Sequence, residues 1–253
     1  QLEQKAITLY QTMLAKGVNS AWYQKDHEVF YKDESSNDNI KLAAVELYNL
    51  TKEAKYLTDA NSYSLGTSYW SSWGDISMTA NNTTIEHNSS HANPVKSSLR
   101  YFKTIADKQN NIWNMPHSST WGTLYSYFGV ANAALSLQLS TEDDAYKNMA
   151  IDVLDYTMGL NNWGKAFIVS EIVPNTILNP YAQLYQLQPS IIAVGEIAEG
   201  PTNKTTHDEN KQYFSPAHNP NGVDKTFNTN NLTFFDQKGD FVCMETIITG
   251  LAD

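Results

Sequence analysis

The 253-residue chain carries 17 Lys+Arg against 27 Asp+Glu, a formal net charge of -10, and is 41% hydrophobic and 12% aromatic. That apolar content supports a sizeable core and excludes a disordered chain, while an acidic balance without Lys/Arg clusters excludes nucleic acid as a partner. No apolar run reaches the roughly 20 residues of a membrane-spanning helix, and Cys243, the one cysteine, excludes an internal disulfide framework.

The N-terminal stretch QLEQKAITLYQTMLAKG reads as an amphipathic helix, with Leu2, Ile7, Tyr10 and Leu14 on one face. It lacks a charged-then-apolar leader, so a signal peptide is expected to have been removed or to lie upstream. Ile40, Ala44, Leu47 and Tyr48 define a second helix after the polar run Asp33 to Asn39. Leu124, Phe128, Ala131, Leu135 and Leu139 mark a third. Thr141 with Asp144 looks like the N-cap pair of a fourth, which runs to Met158 and stops at Gly159. From Leu160 to Asn231, Pro, Gly and Asn break the pattern into loop with short helical or extended pieces. A last helix is expected to begin near Asp240 and to carry Glu245.

One internal repeat emerges. TKEAKYLTDA (51 to 60) and TEDDAYKNMA (141 to 150) share Thr, Tyr and Ala at the same spacing, each after an apolar helix end. This is the pattern of an αα-hairpin corner: a helix stops, a charged turn is capped by Thr, and Tyr anchors the returning helix. Two such corners point to an array of helical hairpins.

Phosphate-binding glycine loops, paired-Cys zinc signatures and Gly-x-Ser-x-Gly elbows are absent from the sequence. His87 and His91 sit among Asn and Ser and read as a loop pair rather than metal ligands. Carboxylates and aromatics remain, which is the inventory of a sugar site: two carboxyls for acid/base work and flat rings for stacking pyranoses. Tyr63, Tyr69, Trp70 and Trp73 supply one aromatic group, and Trp113 with Trp121 another. The competing reading of each ring is a core or half-buried helix residue. Asp75 and Asp155 read as helix-end and turn residues.

Several segments resemble glycoside hydrolase family 9, a mostly cellulase family with an (α/α)6 barrel. They are AAVELYNLTKEAKYLTDANSY (43 to 63), YWSSWGDISM (69 to 78) and, most densely, 119 to 169. That last stretch contains Trp121-Gly122 and the run Asp155-Tyr156-x-x-Gly159-x-Asn161-x-x-Gly164-x-x-Phe167. Glu199-Gly200-Pro201 is similar to the family's late Gly-Gly-Pro turn, and Asp240-Phe-Val-Cys-Met-Glu245 to the segment that holds its general acid. Three features depart from the family pattern. Its Asp-Ala-Gly-Asp motif, source of the catalytic base, is not in the sequence; Asn179-Pro180 is followed by Tyr181-Ala182-Gln183 instead of His-His-Arg; and Met244 replaces the Asn before the glutamate.

The resemblance implies an all-α fold, the later hairpins of an (α/α)6 barrel with long irregular loops, residues 1–253 forming a single unit from the C-terminal part of a catalytic domain. It implies inverting hydrolysis of β-1,4-glucosidic bonds in cellulose or a related β-glucan. Glu245 is then the catalytic acid, and Trp121, Trp70, Trp73, Trp163, Tyr181 and Gln183 are the substrate-binding set. At least two of the four tryptophans are expected to line one groove with a face open to solvent. The base is expected from an N-terminal half or a partner chain. The expected partner is a β-glucan outside the cell or at its surface, with no nucleic acid and no membrane span; no cofactor or metal ligand is named, and a structural calcium ion is left open. The alternative is a catalytically degenerate relative that binds glycans or serves as an extracellular structural component.

Overall fold

The computed structural model describes residues 1–17, 35–69, 74–108, 112–115, 121–181, 194–211, 214 and 219–246. Helices dominate: α1 (Leu2–Lys16), α2 (Asn37–Thr51), α3 (Ala54–Ser62), α4 (Ser77–Ile85), α5 (Ala92–Lys108), α6 (Leu124–Thr141), α7 (Lys147–Thr157), α8 (Lys204–Glu209) and the single turn α9 (Phe241–Met244). Among the described residues, extended pairing is confined to isolated bridges. The chain divides into two compact units, one of residues 1–101 with 132–147, the other of 102–131 with 148–253.

In the first unit, Tyr10 of α1, Ile40, Ala44, Val45 and Leu47 of α2, and Tyr56 and Ala60 of α3 form one buried cluster. Tyr10 meets Tyr56 edge-on at 5.7 Å between ring centroids, and its hydroxyl donates to Asp59 at 3.2 Å. The expected faces of α1 and α2 hold at Tyr10, Ile40, Ala44 and Leu47, whereas Leu2 is exposed at the helix end.

The two corners anticipated from the repeat are wired alike. At the first, Lys52 turns left-handed (φ 59°), its N–H donates to the Tyr48 carbonyl at 2.8 Å, and Thr51 Oγ1 donates to the Leu47 carbonyl at 2.7 Å. At the second, Glu142 (φ 58°) donates to Gln138 at 2.7 Å and Thr141 Oγ1 to Leu137 at 2.6 Å. Each threonine hydroxyl also accepts the N–H of the residue two positions on, Glu53 and Asp143. Thr141 therefore closes α6 rather than capping the next helix. Asp143 is the cap instead, accepting the Ala145 N–H at 3.0 Å before the turn Asp144–Tyr146 leads into α7.

This unit also contains a buried cation. Lys41, fully buried in α2, donates to the Tyr63 carbonyl (3.1 Å), Asn81 Oδ1 (2.8 Å) and His91 Nδ1 (2.8 Å). Because Nδ1 accepts from an ammonium, the proton of neutral His91 lies on Nε2, where Asn61 Oδ1 receives it at 2.9 Å. His87 contacts Asn49 Oδ1 at 2.7 Å. The two histidines serve separate hydrogen-bond networks.

The second unit is built on rings. Tyr127 and Tyr156 meet at 6.0 Å between centroids, Tyr156 and Phe167 at 5.7 Å, Phe167 and Phe234 at 4.8 Å, and Trp163 lies 5.4 Å from Phe234. Asn161 ties the turn after α7: its amide donates to the carbonyls of Tyr156 and Lys165, and its oxygen accepts the N–H groups of Trp163 and Lys165. Gly159 and Gly164 supply the positive φ (117° and 56°) that this turn requires. The expected face of α6 holds at Leu124 and Ala131, but Tyr127, Val130, Ala134 and Leu137 are buried as well, while Leu135 and Leu139 are exposed. The helix LYSYFGVANAALSLQLST is apolar nearly all round, so its periodicity does not single out a face.

Candidate functional site

Glu245 is presented by a short, heavily anchored turn. Asp240 caps α9 by accepting the Cys243 N–H at 3.2 Å, and its other oxygen pairs with His207 Nε2 at 2.9 Å. Both residues are buried. Val242, Cys243 and Met244 fill the core below, which is why these apolar residues sit where they do. The helix ends after a single turn, with Glu245 at its C-cap in an extended conformation (φ -55°, ψ 140°). Glu245 therefore stands at the carbonyl end of α9. No helix N-terminus holds its carboxylate there.

Two segments clasp the residues around Glu245. Tyr181 forms a parallel bridge with it: the Tyr181 N–H donates to the Met244 carbonyl at 2.6 Å, and the Thr246 N–H to the Tyr181 carbonyl at 3.2 Å. The Tyr181 ring stands edge-on to Phe241 at 4.0 Å. Upstream, Asn179 is fixed by Asp236, which accepts its backbone N–H at 2.9 Å and also pairs with Lys165 at 2.7 Å. On the other side, the segment 196–202 runs antiparallel: Ala198 bridges to Thr246, the Glu199 N–H donates to the Glu245 carbonyl at 2.7 Å, and the Gly200 N–H to the Cys243 carbonyl at 2.9 Å.

Trp121 and Gly122 complete the cradle from the segment before α6. The Trp121 indole N–H donates to the Phe241 carbonyl at 3.2 Å and also faces the Glu245 carboxylate. A Cβ on Gly122 would lie 2.3 Å from the Cβ of Glu199, so only glycine fits against that residue. Gly200 has φ 78°, and a Cβ there would come within 2.6 Å of Leu124 Cγ. The Trp-Gly and Glu-Gly-Pro motifs are thus two sides of one close approach.

The electrostatics suit proton donation. Protein packed around the Glu245 carboxyl strips part of its hydration and raises its pKa above the usual carboxylate value; the Trp121 N–H pulls the other way. The residue as a whole keeps an exposed surface. Such a group holds a proton longer than a free glutamate and can reach a ligand. Nearby, a His207 ring nitrogen, an Asp240 oxygen and Cys243 Sγ come within 4.8 Å of one another. Their bonds to one another and to the Thr233 carbonyl make this cluster a lock beneath α9.

Of the residues expected from sequence, Glu245, Tyr181 and Trp121 are brought together. Trp163 is not: it is 6% exposed, packs on Phe167 and Phe234, and bonds Asn228 through its indole N–H at 2.9 Å. It is a core ring, and the expectation of an exposed platform there is corrected. Trp70, Trp73 and Gln183 lie outside the described residues. Sequence reasoning passed over Glu199, whose signal was a lone carboxylate inside the apolar run Ile197-Ala198-Glu199-Gly200-Pro201. Asp75 accepts from Ser68 and from the Ser77 N–H at the start of α4, the helix-end role expected of it.

A family model described as glycosyl hydrolase family 9 matches residues 1–252. No curated protein matches the chain. Among solved structures, the chain is similar to a single-mutant thermostable endoglucanase from Alicyclobacillus acidocaldarius (12% identity, 86% of this chain and 41% of that one, TM-score 0.64). It is similar to the cellulase Cel9M of C. cellulolyticum in complex with cellobiose (18% identity, 69% and 45%, TM-score 0.56). It is also similar to endoglucanase CelQ of Clostridium thermocellum complexed with cellotetraose (21% identity, 69% and 34%, TM-score 0.56). The chain spans less than half the length of each of these chains. The likeness establishes the fold as all-α, part of an (α/α)6 barrel.

Proposed function

Since the chain belongs to glycosyl hydrolase family 9, we propose that the protein hydrolyses β-1,4-glucosidic bonds in cellulose or a related β-glucan, with inversion at the anomeric carbon. In this reading residues 1–253 are the C-terminal part of the catalytic domain, and the protein acts outside the cell, where its polymeric substrate is. The carrying observation is Glu245: a partly dehydrated, solvent-reachable carboxyl on a turn locked by Asp240, His207 and Tyr181. The cellobiose and cellotetraose bound by Cel9M and CelQ support a β-glucan as substrate.

The chemistry needs two carboxyls. Protonated Glu245 passes its proton to the glycosidic oxygen as the bond from the anomeric carbon to that oxygen breaks, and the electron pair stays on the leaving oxygen. A carboxylate on the opposite face of the ring takes a proton from the attacking water, from about 6.5–9.5 Å away. Glu199 does not fill that role, because it lies beside Glu245 and not across a ring from it. The base belongs to another part of the protein, where the family has Asp-Ala-Gly-Asp. The Trp121 indole N–H, bonded to the Phe241 carbonyl, favours the charged form of the Glu245 carboxyl, and the Tyr181 backbone bridges to Glu245 while its ring packs on Phe241.

The test uses the complete protein. Glu245→Gln keeps the shape and removes the transferable proton, so reducing-sugar release from unsubstituted β-glucan should fall roughly 10²–10⁴-fold. Oligosaccharide binding should stay near wild type, and aryl glycosides with good leaving groups should lose less. Polarimetry of the fresh product should show the inverted anomer. A wild type that binds cello-oligosaccharides without cleaving any β-glucan would move the assignment to a glycan-binding relative.

A further inference from the structure

The cradle holds a second carboxyl that the proposed reaction leaves unused. Ala198 opposite Thr246 in an isolated antiparallel bridge brings Glu199 alongside Glu245: the Glu199 N–H donates to the Glu245 carbonyl at 2.7 Å, while the Glu245 N–H turns back to Phe241 and the Glu199 carbonyl accepts from Leu124. With the backbones joined there and the Glu245 charge acting on the Glu199 carboxyl, the two side chains are neighbours. One oxygen of Glu199 accepts the Gly122 N–H, whereas Oε2 is buried with no hydrogen-bond partner. A bare, buried carboxylate oxygen beside a second carboxylate is costly, and a proton on it removes most of the cost.

We propose that Glu199 is a positioning residue for Glu245: the two form a coupled carboxyl pair that carries at most one negative charge, so a proton stays beside Glu245 after it has given its own to the leaving oxygen. The inference rests on Glu245 being the general acid. Proton donation turns Glu245 from neutral to anionic. An O–H on Glu199 Oε2 then has an acceptor it lacked, and a hydrogen bond formed after proton transfer stabilises the state that follows it more than the ground state. Glu199 keeps its proton throughout; Glu245 regains one from solvent once product has left.

The electrostatics agree in direction. Burial, then the charge of Glu245, push the Glu199 carboxyl well above the ordinary carboxylate range. The other titratable groups on the elements packed around the pair are Tyr181, Asp240, Cys243 and, on its own segment, Glu196. Asp240 is engaged by His207 and by the Cys243 N–H. Among the described residues, Glu245 is the group whose charge acts on Glu199.

The complete protein, labelled with carboxyl-13C glutamate, separates coupling from catalysis. In the wild type the Glu199 signal should remain that of a neutral carboxyl through neutral pH. In Glu245→Gln its proton affinity should fall by about tenfold or more, one pKa unit or greater. On the catalytic side, Glu199→Leu should lower kcat about tenfold at unchanged KM, and Glu199→Gln, which restores a neutral donor, should recover most of the loss. A filler role would let Leu and Gln behave alike. A Glu199 that titrates as an ordinary carboxylate, or that ignores Glu245→Gln, overturns the pairing even if Glu199→Leu fails to fold. A wild type without hydrolysis overturns the catalytic role while the titration still reports the pair.

Discussion

Lys41 in the first unit and Glu199 in the second are both titratable side chains taken out of water, and they are treated in opposite ways. Lys41 has three acceptors for its three protons, from a backbone carbonyl, an amide and an imidazole. Its charge is fully engaged, and it ties α2 to the segment before α4, to α4 itself and to the turn before α5. Glu199 has one donor, from Gly122, and a buried oxygen with no hydrogen-bond partner. A buried titratable group whose polar atoms are all engaged holds a fold together, while one with an unsatisfied atom costs stability and is retained where chemistry uses it.

The largest effect should come from breaking the satisfied side. Lys41→Met keeps the stem but leaves one buried and two partly buried acceptors without their donor, and should destabilise the protein by about 2–4 kcal/mol in denaturant melts. Gly122→Ala attacks the other side. Its Cβ would overlap Glu199, so backbone or carboxyl must move; a loss of about 1–3 kcal/mol is expected, together with reduced hydrolysis. Glu199→Gln should do the reverse of Lys41→Met and raise stability by up to about 1 kcal/mol at neutral pH, because the amide is neutral in the fold without taking up a proton.

The pH dependences of the two groups have opposite sign. Burial lowers Lys41 from 10.5 to about 8, so between those values the unfolded chain binds the extra proton and stability rises with pH. His91, held below 6.5 by burial and by Lys41, adds a rise of the same sign on its own acidic side. Glu199 is raised above 4.5, so the folded protein holds the extra proton and stability falls as pH climbs past that value. Melts across pH should show the alkaline rise flattened in Lys41→Met and the carboxyl-linked fall flattened in Glu199→Gln. A Lys41→Met protein that keeps the alkaline rise would place its origin elsewhere.

The parts legible in sequence were those made by near neighbours. The corners at Thr51 and Thr141 are closed by bonds spanning a few residues, so their letters repeat with their geometry. The turn at Gly159 and Asn161 is of the same kind, and Asp240 announced the start of α9. Legibility failed where distant segments decide. Whether an indole faces water or Phe234 depends on residues far along the chain, which is why Trp163 and Trp121 looked alike in sequence. The helix expected to carry Glu245 ends just before it because Tyr181 and Glu199 take over the backbone after Met244. Glu199 itself is meaningful only opposite Glu245, and no local pattern encodes that pairing.

Cys243 gives this arrangement an observable of its own. The thiol is fully buried under Glu245, directed at the Thr233 carbonyl at 3.7 Å, and pushed well above its usual pKa by burial and then by Asp240. Thiol reagents require an exposed thiolate, and the chain has only this one cysteine. Its labelling rate therefore acts as a clock that ticks each time the segment bearing Glu245 opens. An inactive variant with slow labelling has lost chemistry on an intact platform, whereas one with fast labelling has lost the platform.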